Sequence, residues 1–403
     1  MTNHHICRRV PAAVLPAICL VALLSLPAVA QTVTVRVENP LAMPRPDEVV
    51  ELDWAALQDR NPSLAEDNVR VVDPGSGEEV LFQVVDSDND GATGALLFLV
   101  SLWSLEVREY AVEATPSQSE PAPRVFVRHD DYRDDVAWES DRIAYRTYGK
   151  GLWNASEFDP LVSSGIDVWP KRVRDLIVER WYEKGHDAYH LDTGEGADFY
   201  SVGPTLGAGG TAIWQDGRMY RAENFASYRI IANGPVRAVF ELTYEPFDAG
   251  GVEVSETKRI TIDAGQHLFR SESTFGTEAA DSLTYVVGFV KRAEGLVGSM
   301  KQAVPAWAWL SAWGRVERKN GGHGALGTAA LLDRSRLKSV QETDRHYLAV
   351  LTATPGEPTT QYVGAGWTAS GDFDTVEDWW AYLDAFAQRL QAPLRVDVLP
   401  ATQ

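Results

Sequence analysis

The chain has 403 residues, 45% of them hydrophobic, including 13 Trp and 14 Tyr, and a formal net charge of -20 at pH 7. A surface this acidic repels nucleic acid and anionic lipid, which argues against both as partners, but a local basic pocket can still hold an anionic ligand. The high aromatic load suits either a β-rich core or stacking platforms for sugar rings.

The first thirty residues read as a signal peptide. Arg8 and Arg9 precede an apolar run that is too short for a membrane span, and Ala28-Val29-Ala30 is a small-residue cleavage signal before Gln31. Cleavage after Ala30 places the mature protein in the periplasm or outside the cell, without a membrane anchor. It removes two arginines and no acids, taking the charge from -20 to -22, and it removes both cysteines, Cys7 and Cys19. A mature chain of about 370 residues without cysteine is held by its core alone and has no thiolate chemistry and no cysteine metal site.

From 31 to 120 the pattern predicts a small antiparallel β unit. TVTVRVE and EVVELDW alternate at period two, VRVVDP and EEVLFQVVD follow, and the unbroken apolar ALLFLVSL suits a strand buried on both faces. SDNDG has the composition of a calcium loop but reads as a solvated turn, and TPSQSEPAP reads as a linker.

From 121 to 403 the strands lengthen. RIAYRTYG sets Ile143, Tyr145 and Thr147 on one face and Arg142, Ala144, Arg146 and Tyr148 on the other, and the second face is either solvated or lines a polar cleft. VRDLIVERWYEKG fits helical spacing better than strand spacing. TAIWQDGRMYR carries an Asp-Gly hairpin signal, and further strand-like runs extend to LRVDVLP. TVEDWWAYLDAFAQRLQ is a helix with Thr375 as N-cap and Asp378 three residues on. Many strands without βαβ alternation predict an all-β protein: a large antiparallel double-sheet sandwich with a smaller N-terminal β unit and few helices.

Candidate functional groups concentrate between Trp138 and Gly210. His190, flanked by Tyr189 and Asp192 with Asp198 and Tyr200 beyond, can exchange a proton near neutral pH. His186 would join it as a metal pair on a helix, but Gly185 argues against that helix, so no metal is assigned. Lys171 follows Trp169-Pro170 as a fixed cation beside an indole, and Arg142 and Arg146 could converge on one anion. GPTLGAGG lacks the Gly-Lys-Ser/Thr ending of a phosphate loop, and neither GxSxG nor HExxH occurs.

WESDRIAYRTYG, DVWPKR, YHLDTGEGADFYSVGPTLGAGG, NGPVRAVFELTY and YVGAGWT occur in that order. With the opening ENPLAMPRPDEVVEL, they make the chain resemble, over nearly its whole mature length, exported bacterial proteins grouped as domain of unknown function 4861. The first motif in that family reads WENDRIAFR, and here Ser140 and Tyr145 stand in place of Asn and Phe. The loss of a carboxamide at 140 is expected to alter a hydrogen bond to substrate.

The family is similar to an oligosaccharide dehydratase of ulvan breakdown, which leaves a 4,5-unsaturated uronic acid at the non-reducing end. The resemblance implies a carbon–oxygen lyase acting on an acidic oligosaccharide without a cofactor. Under it, His190 is the base, Tyr189 or Tyr200 the proton donor, and Lys171, Arg142 and Arg146 neutralise the carboxylate. Trp138 and Trp169 stack on the sugar, and Asp192 and Asp198 complete the binding set. Two other readings stay open: a uronic-acid-directed glycoside hydrolase using Asp192 and Asp198, and a non-catalytic carbohydrate-binding or mutarotase-like module.

Overall fold

A computed structural model describes residues 1–2, 32–86, 90–118, 121–153, 161–291, 294–318 and 321–399. Residues 3–31, which hold both cysteines and nearly all of the segment read as a signal peptide, and most of the SDNDG turn lie outside the described residues.

Alternation at period two does what it predicts over Thr32–Glu38, where Val33, Val35 and Val37 are buried and the residues between them are not. This strand sits between Val107–Glu113 and Arg395–Val398 in a four-stranded antiparallel sheet completed by Arg70–Val72. A three-stranded sheet of Arg45–Asp53, Ala95–Leu102 and Phe82–Val85 packs on it around Leu96, Phe98, Val100 and Tyr110. ALLFLVSL is buried on both faces as expected. Leu96, Phe98 and Val100 face the small core, while Leu97 joins Val236 of the larger body.

The final strand corrects the expectation that LRVDVLP closes the large sandwich. It returns to the N-terminal sheet, pairing Val398 with Val35 and Val396 with Val37. Its short amphipathic pattern carries no information about which open sheet edge it covers.

The larger body is a sandwich. One layer is an eight-stranded antiparallel sheet in the spatial order 227–233, 237–248, 253–263, 268–276, 358–367, 321–333, 307–318 and 294–302. The facing layer consists of two sheets. A five-stranded sheet runs in the order 218–220, 208–215, 283–290, 346–353 and 337–342, and a four-stranded sheet in the order 167–170, 143–148, 135–140 and 125–130. One core joins all three, with Phe240, Ile260 and Phe269 from the first layer, Tyr285 and Val287 from the five-stranded sheet, and Trp138 and Tyr145 from the four-stranded sheet. The Asp-Gly hairpin forms as read, with Asp216 and Gly217 both at positive φ between Ala208–Gln215 and Arg218–Tyr220.

Helices are short except one. Helix α1 (Trp54–Arg60) belongs to the N-terminal unit, and α2 (Val178–Lys184) and α3 (His186–Tyr189) cover the outer face of the four-stranded sheet. Helix α4 (Val376–Gln391) has the predicted start: Thr375 accepts from the Asp378 amide, and the Asp378 carboxylate accepts from the Thr375 amide. It lays Trp379, Leu383 and Phe386 on the outer face of the eight-stranded sheet, against Trp309 and Leu331.

Candidate active site

The strand Ile143–Tyr148 is buried along its whole length, and its two faces do different things. Tyr145 packs inward on Trp138 and Phe269. Arg146 and Tyr148 project to the other side and line a cleft of about 370 Å3. The expected polar face therefore lines a cleft.

The opposite wall comes from α3. Gly185 ends α2 at φ +87, a conformation open to glycine. A new helical turn starts directly after it and carries His186 and Tyr189, with His190 as its C-cap. The glycine breaks one helix without preventing the next, so the two histidines do share a face, with Nε2 atoms 3.4 Å apart. Among the described residues no cluster of three or more His, Cys, Asp or Glu is arranged to hold a metal ion.

Three buried carboxylates surround Arg146. Its Nη2 donates to Asp167 and Asp198, each at 2.8 Å, and Asp135 lies 3.8 Å from Nη1. Nη1 donates to the Tyr189 hydroxyl at 3.1 Å. The guanidinium also lies 4.8 Å from the centroid of the Trp169 ring. Burial works against its charge, but the acids and phenols around it hold its pKa well above the usual guanidinium value.

Tyr148 donates to Asp167 at 2.9 Å, and burial followed by that carboxylate pushes its phenol well up. Burial also raises Tyr189, against the pull of Arg146, so the phenol keeps its proton at neutral pH. Burial raises Asp135 to about 6, although Arg146 and a bond from the Tyr182 hydroxyl at 2.7 Å favour its charged form.

His190 is oriented by its backbone neighbour. Its Nδ1 lies 2.6 Å from the Asp198 carbonyl oxygen, which can only accept, so Nδ1 carries the proton and Nε2 the lone pair of the neutral ring. The Asp198 carboxylate lies 3.5 Å from the same Nδ1. The ring centroids of Tyr189 and His190 are 4.8 Å apart. The cleft thus holds a base of fixed tautomer beside a phenol of raised pKa, over a buried guanidinium.

Of the residues singled out in the sequence, His186, His190, Tyr189, Arg146, Tyr148 and Asp198 meet here. The others do not. Trp138 and Trp169 have no exposed surface, and neither presents a face to a sugar. Trp138 is a core residue. Trp169 stacks 5.0 Å beneath Tyr189 and props it and Arg146 toward the cleft. Lys171, also fully buried, donates to Glu139 at 2.8 Å and to the Ser140 carbonyl at 2.7 Å. Glu139 in turn accepts from the Ile177 and Val178 amides at the start of α2. The cation that looked like a substrate clamp locks two strands to a helix.

Arg142 points away from Arg146 and pairs with Asp47 and Asp372, each at 3.2 Å. Asp192 pairs with Arg172 at 2.7 Å and accepts from the Gly194 and Gly196 amides. Burial raises its pKa less than these partners lower it. It shapes the loop and does not line the cleft. Tyr200 is buried in the sandwich core. Ser140 and Tyr145, where the chain departs from the family motif, are buried as well. Ser140 donates to the Gln266 carbonyl at 2.7 Å and Tyr145 to the His267 carbonyl at 2.5 Å, so neither touches a substrate directly.

The sequence reading missed Arg133, Asp135 and Asp167 as lining residues. One signal was present. Asp167 stands between Ile166 and Val168, and a charge inside an apolar strand marks a buried polar partner.

Comparison with known proteins places the chain. It is 29% identical over 379 residues to a protein of Formosa agariphila described as uncharacterized protein P7, covering 90% of this chain and 93% of that one. Among solved structures it is similar to an alpha-mannosidase from Enterococcus faecalis V583, with a TM-score of 0.48, 10% identity and 93% of this chain covered. A protein in the glycosyl hydrolase family 38 from Enterococcus faecalis gives a TM-score of 0.49 and 11% identity over 92% of this chain. The chain spans about half the length of these two structures, 46% and 47%. A model of the family described as domain of unknown function (DUF4861) matches residues 37–396, and the chain belongs to that family.

Proposed function

We propose that the protein is an exported enzyme, periplasmic or secreted, that removes water from a uronic acid at the non-reducing end of an acidic oligosaccharide by β-elimination. The observation that carries the reading is the tautomer of His190, with its basic Nε2 next to a phenol that Arg146 holds in place. Nε2 takes the proton from C5, α to the carboxylate. The electron pair moves into an enolate on the carboxylate, facing the Arg133 and Arg146 guanidiniums that line the cleft. Collapse of the enolate forms the C4–C5 double bond and breaks the C4–O bond. Tyr189 protonates the departing hydroxyl, and water leaves.

The resulting phenolate is stabilised by Arg146 and regains its proton from the neighbouring imidazolium, which returns both groups to their starting states. Trp169, beneath Tyr189 and Arg146, is a positioning residue. A glycosidase mechanism through Asp192 and Asp198 has less support, since Asp192 does not line the cleft and Asp198 is held by Arg146.

The test is turnover of uronic-acid-ended oligosaccharides by His190→Ala and Tyr189→Phe. Loss of a general base or acid is expected to lower kcat by about 10²- to 10⁴-fold with substrate binding retained. Wild-type kcat in both variants would remove the assignment.

A further inference from the structure

A second cavity, of about 490 Å3, lies where the N-terminal unit meets the eight-stranded sheet and the C-terminal end of α4. That volume is within the ~300–1,000 Å3 typical of small-ligand sites. Its lining is unusual for a chain of net charge -20: Arg45, Arg237, Arg270 and Arg389 against Glu48, Glu51 and Asp263.

The charges are not evenly paired. Arg237 is bonded by both Asp263 and Glu51, each at 2.6 Å. At the other end one carboxylate serves two cations, since Glu48 accepts from Arg45 at 3.1 Å and from Arg389 at 2.7 Å. Both of these guanidinium side chains are more than nine-tenths buried, and the Nε–H of each has no hydrogen-bond acceptor among the described residues. Burial, reinforced by the Arg389 charge, outweighs Glu48 and lowers the pKa of Arg45. At this end of the cavity two guanidiniums thus share one carboxylate, and their remaining bonds go to neutral acceptors: Arg45 donates to the Ala392 and Arg389 carbonyls at 2.7 and 3.3 Å and Arg389 to the Gln266 side chain at 3.5 Å. Two aromatic rings, Tyr362 and Phe386, line the same space. Arg270 and Glu51, with side chains 38% and 51% exposed, mark its open side.

We infer that this cavity is a second, non-catalytic binding site for an acidic sugar residue, whose carboxylate meets the Arg45/Arg389 pair while its ring lies on Tyr362 and Phe386. Guanidinium and carboxylate match in geometry, and an aromatic face suits the apolar side of a pyranose. The N-terminal unit then contributes directly to ligand binding through Arg45. The inference does not depend on what chemistry the cleft performs.

The test is calorimetric titration of the full mature chain with a β-1,4-linked tetrasaccharide of glucuronic acid, in parallel with neutral cellotetraose and with inorganic sulfate. The site predicts a second binding event for the acidic tetrasaccharide, beyond that of the cleft, which is absent for cellotetraose and weakens at least tenfold in Arg389→Met. Arg270→Gln, at the exposed mouth, weakens the same binding without the risk of unfolding. The absorbance of an unsaturated product reads the cleft alone, so activity unchanged in Arg270→Gln with binding reduced separates the two sites. Acidic tetrasaccharide binding untouched by Arg270→Gln and by a folded Arg389→Met would overturn the inference. So would sulfate binding as tightly as the tetrasaccharide.

Discussion

At the scale of single residues, the ionisable groups of this protein fall into two populations that composition does not separate. Lys171 and Glu139 belong to the structural population. Neither side chain has any exposed surface, and burial lowers the lysine pKa despite its carboxylate partner. Breaking such a pair leaves an uncompensated buried charge, so Lys171→Met is expected to destabilise the fold by about 3–5 kcal/mol, read as a lower urea midpoint. A stable Lys171→Met protein with weakened substrate affinity would instead restore the clamp role. Asp135 belongs to the cleft. Its native pKa of about 6 exceeds the usual carboxylate value of 3.8, so the folded state keeps a proton that the unfolded state releases. The stability this supplies is fully present below pH 4 and is lost as the pH rises through 6. Asp135→Asn should therefore be favoured relative to wild type more at pH 7.5 than at pH 4.5 in urea unfolding, and equal differences at the two pH values would contradict the shift. The sequence made His190, Tyr189, Arg146 and Asp198 visible because titratable and aromatic residues cluster in one glycine-punctuated stretch. It could not separate Trp169 from a stacking platform, because a buried indole and an exposed one look identical until the layers above them are known.

At the scale of elements, local patterns were legible wherever local physics decides them. The Asp216-Gly217 hairpin and the start of α4 rest on backbone conformations that a few adjacent residues set. Thr375→Ala removes one side of the capping box and is expected to cost about 1 kcal/mol, measurable as a reduced urea midpoint with substrate turnover unchanged. No loss of stability would mean that the packing of Trp379 and Leu383 alone holds the helix. Gly185 shows where local reading ran out. A glycine at φ +87 stops α2, yet the residues after it form another turn because Tyr189 is held beneath by Trp169. Tertiary packing, not propensity, brings His186 and His190 to one side.

At the scale of the whole molecule, period-two alternation and strand number were enough to give an antiparallel sandwich. They did not show that its second layer is divided into two sheets, or that the last strand covers the edge of the first. Such pairings depend on which sheet edges remain open after everything else has folded, and that is a property of the assembled chain. The divided layer matters for the proposed chemistry, because the four-stranded sheet carries Arg146, Tyr148 and Asp167 while its outer face supports α3 and the His190 wall. The most direct measurement is ultraviolet absorbance together with mass spectrometry on uronic-acid-ended oligosaccharides incubated with the purified protein. The account predicts a rising absorbance from a conjugated 4,5-unsaturated uronate and the loss of one water from a chain of unchanged length. Shorter products without absorbance, or no change across acidic glycans that nevertheless bind, would contradict it.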